Sequence, residues 1–412
     1  MQQVERVAAR PAPVEQVAAP AAARPRLWSP TFALLCAVSF CCYVHWCVLQ
    51  PIMPLWIQAH GGSAALVGMV AFAFSITSFL LRPLIGRAVD CWSARGVLGL
   101  STLVLGLAGL GYFVYHVALL VAVRAVHGVG WAGYNTGINT LIARVAPAAR
   151  RGEAVGYVAT AQGIAMALVP ASALWLLGGV GFVGVFVLAA TAGLLATLCV
   201  ALIPKQPRSP VPPHVGSFWR GLIERAALLP SGLHFLSMLQ QSPSITFIPM
   251  YATFRGIAVE TLPAYFLGYG LSSVTTRVFF GRWSDRVGRG RTLAVGATTS
   301  AAGLLLLSQA ADILLLTAGG VLVGFASAAN SPAAMALAID RSREERRGAA
   351  MATFSMAFQL ADGGGALLFG LLIGAAGYQA MYYAAMLAPV ATLLLLARHW
   401  RATNRAALSR RV

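Results

Sequence analysis

The 412-residue chain is 58% hydrophobic and 10% charged, with a mean hydropathy of +0.74. Soluble domains carry about 25% charged residues, so the composition excludes a soluble fold and indicates an integral membrane protein. The net charge of +18 is not a nucleic-acid footprint, because the basic residues fall in short clusters between apolar runs and read as topology signals.

Residues 1–29 are rich in Ala, Pro and Val, carry four arginines and lack the apolar centre of a signal peptide. They read as a disordered cytoplasmic tail. A helix needs about 20 apolar residues to cross a bilayer. Runs of that kind cover 32–57, 64–85, 97–115, 117–142, 153–177 and 180–203, which form a first bundle over 30–203. The linker 204–228 contains the Pro-rich stretch "PKQPRSPVPPH". The second bundle, 229–398, has runs at 229–252, 260–281, 292–309, 311–338, 349–374 and 380–397, and a C-tail follows over 399–412. The expected fold is an all-α membrane protein with twelve transmembrane helices. If both termini are placed inside, 28 of the 30 basic residues lie on one side, leaving Arg124 and Arg255 as the exceptions. That bias predicts a multi-pass protein of the cell's plasma (inner) membrane with cytoplasmic termini.

The phrase "LIGRAVDCWSAR" follows span 2, and "FFGRWSDRVGRGR" follows span 8. Arg82 and Arg277, Gly86 and Gly281, Arg87 and Arg282, and Asp90 and Asp285 are each 195 positions apart. Pro54 matches Pro249 and Asn135 matches Asn330 at the same offset. Two six-span halves therefore run parallel, an arrangement suited to a transporter that rocks about a midplane site.

Carried by these residues, the chain resembles the major facilitator superfamily. Gly86, Asp90, Ser93, Ala94 and Arg95 fall on that family's G-x-x-x-D-x-x-G-R-R signature, with Ser93 and Ala94 departing from it. Gly281, Asp285, Gly288 and Arg289 form the second copy. "RAVHGVGWAG" is similar to the family's R-x-x-Q-G-x-G motif in span 4, with His127 in place of Gln. The resemblance implies two pseudo-symmetric six-helix bundles. It further implies a gating loop made by Gly86, Arg87, Asp90, Arg95, Gly281, Arg282, Asp285 and Arg289, the first copy latching onto span 11 and the second onto span 5. On the residues alone, the phrase is expected to be a charged turn whose aspartates sit by helix N-termini, or a topology signal only.

Ionisable groups inside a membrane are functional candidates by default. Asp362 is the acid placed within a span, roughly 22 Å along span 11 from Arg347. Arg124 lies about seven residues into span 4, and the resemblance ties its position to proton transfer in antiporters. His127 is one turn further on, and His45 is near the middle of span 1; either titrates close to neutrality in water. These four are the proton-coupling candidates. Tyr43, Gln50, Asn135, Asn139, Gln162, Asn330 and Gln359 are the substrate-binding candidates, with Trp46 and Trp131 as aromatic walls. For each polar group, interhelical glue is the competing reading.

The expected activity is proton-coupled efflux of a small organic molecule, drug-like or a secreted metabolite such as a metallophore. A proton-linked importer is the alternative, and a non-transporting receptor or scaffold is a remote one. In span 5, "GYVATAQGIAMALVPASA" keeps Gly156, Gly163 and Pro170 of the drug antiporters' G-x-x-x-G-P pattern but has Ala167 at the second glycine. HExxH, GxSxG and Walker A patterns are absent from the sequence, so an enzyme is not expected. The expected partners are lipid, a small-molecule substrate and protons; no cofactor, metal or nucleic acid is expected, and the chain is expected to be a monomer.

Overall fold

The computed structural model describes residues 27–147, 150–205 and 224–408, all helix or connecting turn. Most of the expected N-tail and linker, and the last four residues of the C-tail, lie outside the described residues. Spans 1 to 4 are Pro30–Ala59, Ala64–Cys91, Ala94–Leu110 and Val117–Val145. Arg151–Leu202 holds spans 5 and 6, which part at Gly181 (φ 66°). Span 7 is Leu228–Leu239, a π-turn over Ser242–Thr246, and Ile248–Phe254. Spans 8, 9 and 10 are Leu262–Val287, Arg289–Gln309 and Ile313–Arg341. Arg347–Leu408 holds spans 11 and 12, which part at Gly377 (φ 79°). A left-handed backbone suits glycine, which has no Cβ to clash. Both junctions are therefore glycine-made corners, and they fall at nearly equivalent points of the two halves.

Spans 2 and 8 run six residues beyond their expected ends at 85 and 281. A helix satisfies its own backbone, so it continues past the hydrocarbon while long basic side chains reach for the interface. The charged phrases are thus mostly helix, and the expected turn is confined to two positions. Ser93 has extended backbone, and its Oγ accepts a hydrogen bond from the amide of Gly96 at 2.8 Å, capping span 3. Its counterpart Gly288 turns at φ 102°. Asp285 lies in the last turn of span 8 and not at a helix N-terminus, because Gly288 starts span 9.

Span 7 is broken because Pro243 and Pro249 donate no amide hydrogen. Neighbouring tyrosines take up freed carbonyls. Tyr265 donates to Ser244 O at 2.5 Å, and Tyr382 donates to Pro243 O at 3.4 Å. Buried backbone in a membrane protein requires such partners.

The halves share apolar packing at one end only. One buried cluster joins Ile52, Trp56 and Val67 of the first half to Ile248, Tyr251, Tyr265 and Phe369 of the second. Towards the arginine-rich turns, henceforth the basic end, each half packs separately: Leu35, Tyr134 and Ile142 in one, Leu233, Leu293 and Phe354 in the other. At the far end Gln58 Nε2 donates to Thr253 Oγ1 at 3.1 Å, linking equivalent positions 195 residues apart. The bundle is therefore sealed at the far end and parted towards the basic end.

At the basic end, Arg346 Nε donates to Glu224 Oε2 at 2.6 Å. That hydrogen bond holds the Glu224 carboxyl below its ordinary range. A carboxylate depressed in the folded state stabilises it above the unfolded pKa and stops doing so as pH falls through the folded value. Thermal midpoints of wild type and Glu224→Gln should therefore differ at about pH 7 and converge towards about pH 3.

Candidate functional site

Between the parted halves lies a cavity of about 270 Å³. Spans 1, 2 and 4 supply Tyr43, Trp46, Phe74, Arg82, Trp131 and Asn135. Spans 7, 8 and 10 supply His234, Met238, Gln241, Arg277, Ser327 and Ser331, and span 11 supplies Ser355, Phe358, Gln359 and Asp362. Of the expected substrate contacts, the wall contains Tyr43, Asn135 and Gln359, together with the aromatic walls Trp46 and Trp131 and the proton-coupling candidate Asp362.

Asp362 sits where spans 2 and 11 cross. Its Oδ2 accepts from Ser75 Oγ at 3.2 Å, a bond between the two halves. A Cβ on Gly363 would run into the Ser75 side chain, so the glycine beside the aspartate sets this approach. One turn towards the basic end, Gln359 Nε2 donates to Ser78 Oγ at 3.1 Å, also across the halves. Among the described residues no ion pair involves Asp362, so it is a cavity-wall carboxyl without a salt-bridge partner.

Arg124 is 7% exposed, and its guanidinium carbon lies 5.3 Å from the Phe74 ring centre and 5.9 Å from that of Tyr112. Stacking on aromatic faces is a way for arginine to keep its charge in an apolar setting. Arg124 is set behind Phe74 and is not part of the cavity wall.

His45 and His127 come together, fully buried and outside the cavity wall. His45 Nδ1 is 2.7 Å from Ala189 O, the two Nε2 atoms are 2.9 Å apart, and His127 Nδ1 is 3.0 Å from Tyr112 Oη. A carbonyl only accepts, so His45 carries its proton on Nδ1 and accepts at Nε2. His127 then donates through Nε2 and accepts from Tyr112 at Nδ1. Every ring nitrogen is satisfied with both histidines neutral. The sequence grouped these residues with Asp362; their hydrogen bonds run between spans 1, 4 and 6 and to Tyr112. His127→Leu strands a buried donor and acceptor and should cost about 1–3 kcal/mol. His127→Leu combined with His45→Leu should cost less than the sum of the two single substitutions, as measured by thermal unfolding in a double-mutant cycle.

The other expected contacts are spread more widely. Asn139 is exposed and donates to Asn135 O at 2.8 Å. Gln162 donates to Tyr134 Oη at 3.3 Å within the first half. Asn330 is 1% exposed and fills the notch left by Gly296, packing span 10 on span 9. Gln50 is half-buried and outside the wall. Of these, Asn330 packs against a glycine of the neighbouring span, the close approach that small residues allow.

Among the described residues, the charged phrases make no hydrogen bond or ion pair with span 5 or span 11 in this conformation. A Cβ on Gly86 or Gly281 would meet open space, and Arg87 and Arg282 are exposed. Arg289 pairs with Asp285 at 2.5 Å and with Asp340 of span 10 at 3.1 Å, both in its own half and not with span 5. Arg95 donates to the Val200 and Ala201 carbonyls at 3.2 and 2.8 Å, closing the end of span 6. The Asp90 side chain lies outside the described ones. The reason is the parting of the halves at this end, which carries the phrases away from the spans they were expected to touch.

Sequence reasoning missed Arg82, Arg277 and His234 as wall residues. It counted both arginines with the loops, although each stands at least nine residues inside its helix end and the two share the 195-residue offset. That pairing was the available signal.

Comparison with known proteins gives concordant results. The family model of the Major Facilitator Superfamily matches residues 35–267 and 231–411. An uncharacterised MFS-type transporter of Methanocaldococcus jannaschii is 22% identical over 372 residues, covering 86% of this chain and 92% of its own. A multi-drug resistance efflux pump PmrA homolog of Lactococcus lactis is 24% identical over 304 residues, covering 70% and 75%. The crystal structure of a single-substitution mutant of the nucleoside transporter NupG superposes with a TM-score of 0.75 at 13% identity, covering 89% of this chain and 99% of that one.

Proposed function

Since the chain belongs to the Major Facilitator Superfamily, we propose that it is a proton-coupled exporter of a small organic molecule working by alternating access. The observation that carries this reading is Asp362: a carboxyl in the wall of the cavity between the halves, bonded to Ser75 of the opposite half and in no ion pair among the described residues. A proton taken up there changes both the charge of the cavity and a contact between the halves. Export is supported by the similarity to the multi-drug resistance efflux pump PmrA homolog of Lactococcus lactis and to multidrug resistance protein 2 of Bacillus subtilis, 25% identical over 179 residues. Arg124, held behind Phe74, serves as the second proton-coupling residue in this mechanism.

In this reading the basic end is cytoplasmic, the protein lies in the plasma membrane as a monomer, and the conformation described is inward-facing. The latch of Gly86, Arg87, Asp90, Arg95, Gly281, Arg282, Asp285 and Arg289 engages when the basic end closes. Asn135, Gln359 and Tyr43 contact substrate, while His45 and His127 hold the first half rigid. The test is a flux assay in proteoliposomes with an imposed pH gradient and a panel of labelled organic solutes. The reading expects uphill movement of a solute against the direction of proton flow. Solute movement indifferent to the gradient would contradict it.

A further inference from the structure

Relying on the transport reading above, we propose that the cavity selects organic anions, holding an aromatic carboxylate between Arg82 and Arg277. The wall carries two guanidinium groups and a single carboxyl, so it presents an excess of positive charge. The arginines are equivalent positions of the two halves and meet at one cavity. Arg82 Nη1 donates to Ser355 Oγ at 2.5 Å, which aims its fork at span 11, while its buried Nε has no protein partner. Arg277 makes no ion pair with any described carboxylate. His234 Nδ1 is also buried without a protein partner, its ring stacked on Phe354 with centres 4.0 Å apart. Buried polar atoms are almost always satisfied, so unsatisfied nitrogens on two residues of one cavity wall, Arg82 and His234, mark a ligand position.

A carboxylate matches this set, since two oxygens accept from a guanidinium fork with paired, charge-assisted bonds. The remainder of the ligand is fixed by the aromatic part of the wall. Trp46 and Trp131 stack with centres 5.6 Å apart at 18°, and Tyr43 lies 5.4 Å from Trp131. These flat faces take an aromatic body. Because one arginine belongs to each half, the bound anion also bridges the moving parts. Its two contacts are strong together only in conformations that bring both arginines to the cavity, which gives the ligand the unequal affinity for two states that transport requires.

The test uses the full chain in lipid nanodiscs. Binding of 1-naphthoate is compared with that of 1-naphthalenemethanol and 1-naphthylmethylamine, which share the ring and differ in charge. The carboxylate should bind about tenfold more tightly than the alcohol, and Arg82→Gln or Arg277→Gln should each remove that preference. Arg82→Lys and Arg277→Lys keep the charge and should retain part of it. Arg286→Gln, an exposed arginine in the last turn of span 8, should leave it unchanged. Equal or tighter binding of the alcohol or amine, no binding of the carboxylate, or full preference in both glutamine variants would overturn the anion site. Counterflow of labelled 1-naphthoate separates the two readings. Selective, arginine-dependent binding without counterflow removes transport and leaves the site. Counterflow of an uncharged solute at wild-type rate in both glutamine variants removes the site and leaves transport.

Discussion

Asp362→Asn is expected to abolish accumulation driven by a pH gradient while leaving solute exchange at equal pH intact. Asparagine reproduces the shape and hydrogen bonding of the neutral carboxyl but cannot release a proton, so the Ser75 contact survives. Each unit of pH gradient is worth about 1.4 kcal/mol per proton, or about tenfold accumulation of solute. The variant should lose that factor entirely, giving equal concentrations on the two sides at any gradient. Expression and thermal midpoint should stay near wild type, because no buried ion pair is broken. Gradient-driven accumulation at wild-type level in Asp362→Asn would remove this carboxyl from the coupling mechanism.

The second large effect is expected at Gly270. A Cβ there would lie 2.5 Å from Ala167 Cα and 2.7 Å from Ala167 O. Those atoms are backbone and side-chain root of span 5, in the other half, so neither can swing away. Small residues at helix contacts let backbones approach closely in membranes. Gly270→Leu should therefore oppose closure of the far end at a cost of about 1–3 kcal/mol, typical of overpacking. About 1.4 kcal/mol already shifts a two-state ratio tenfold. Labelling of a cysteine placed at Asn135, in a background without the native cysteines, should rise about tenfold from the far side, and transport should fall with it. Unchanged labelling from the basic side alone would show that spans 5 and 8 do not form the far-end seal.

The span-5 sequence made the same contact legible in part. Ala167 occupies the place of a glycine in the antiporter pattern. The structure shows it serving as the small surface against Gly270. Span number, the halves and the offset of 195 were readable because hydropathy and repeated charge are properties of sequence alone. The corners at Gly181 and Gly377 were not, since two spans joined without a loop look like one long apolar run. Nor was the facing of polar residues. A helix apolar all round has no stripe to orient it, so Gln50 and Asn139 read the same as Asn135 and Gln359. His45 and His127 are far apart in the chain, and only folding shows that they satisfy one another. The arginines of the cavity were hidden by their neighbours. Arg82 and Arg277 each stand five residues before another arginine, Arg87 and Arg282, nearer the end of the same helix, and only helix length puts the first pair inside.

The account rests on a cavity that opens at the basic end while Gln58 and Thr253 hold the far end shut. Cysteines at these two positions, in a chain otherwise free of cysteine, test it most directly. The account predicts that the pair forms a disulfide readily, that the cross-linked protein still binds solute from the basic end, and that flux stops until a reductant restores it. Cross-linked protein that carries solute across the bilayer at the uncross-linked rate would contradict alternating access through this cavity.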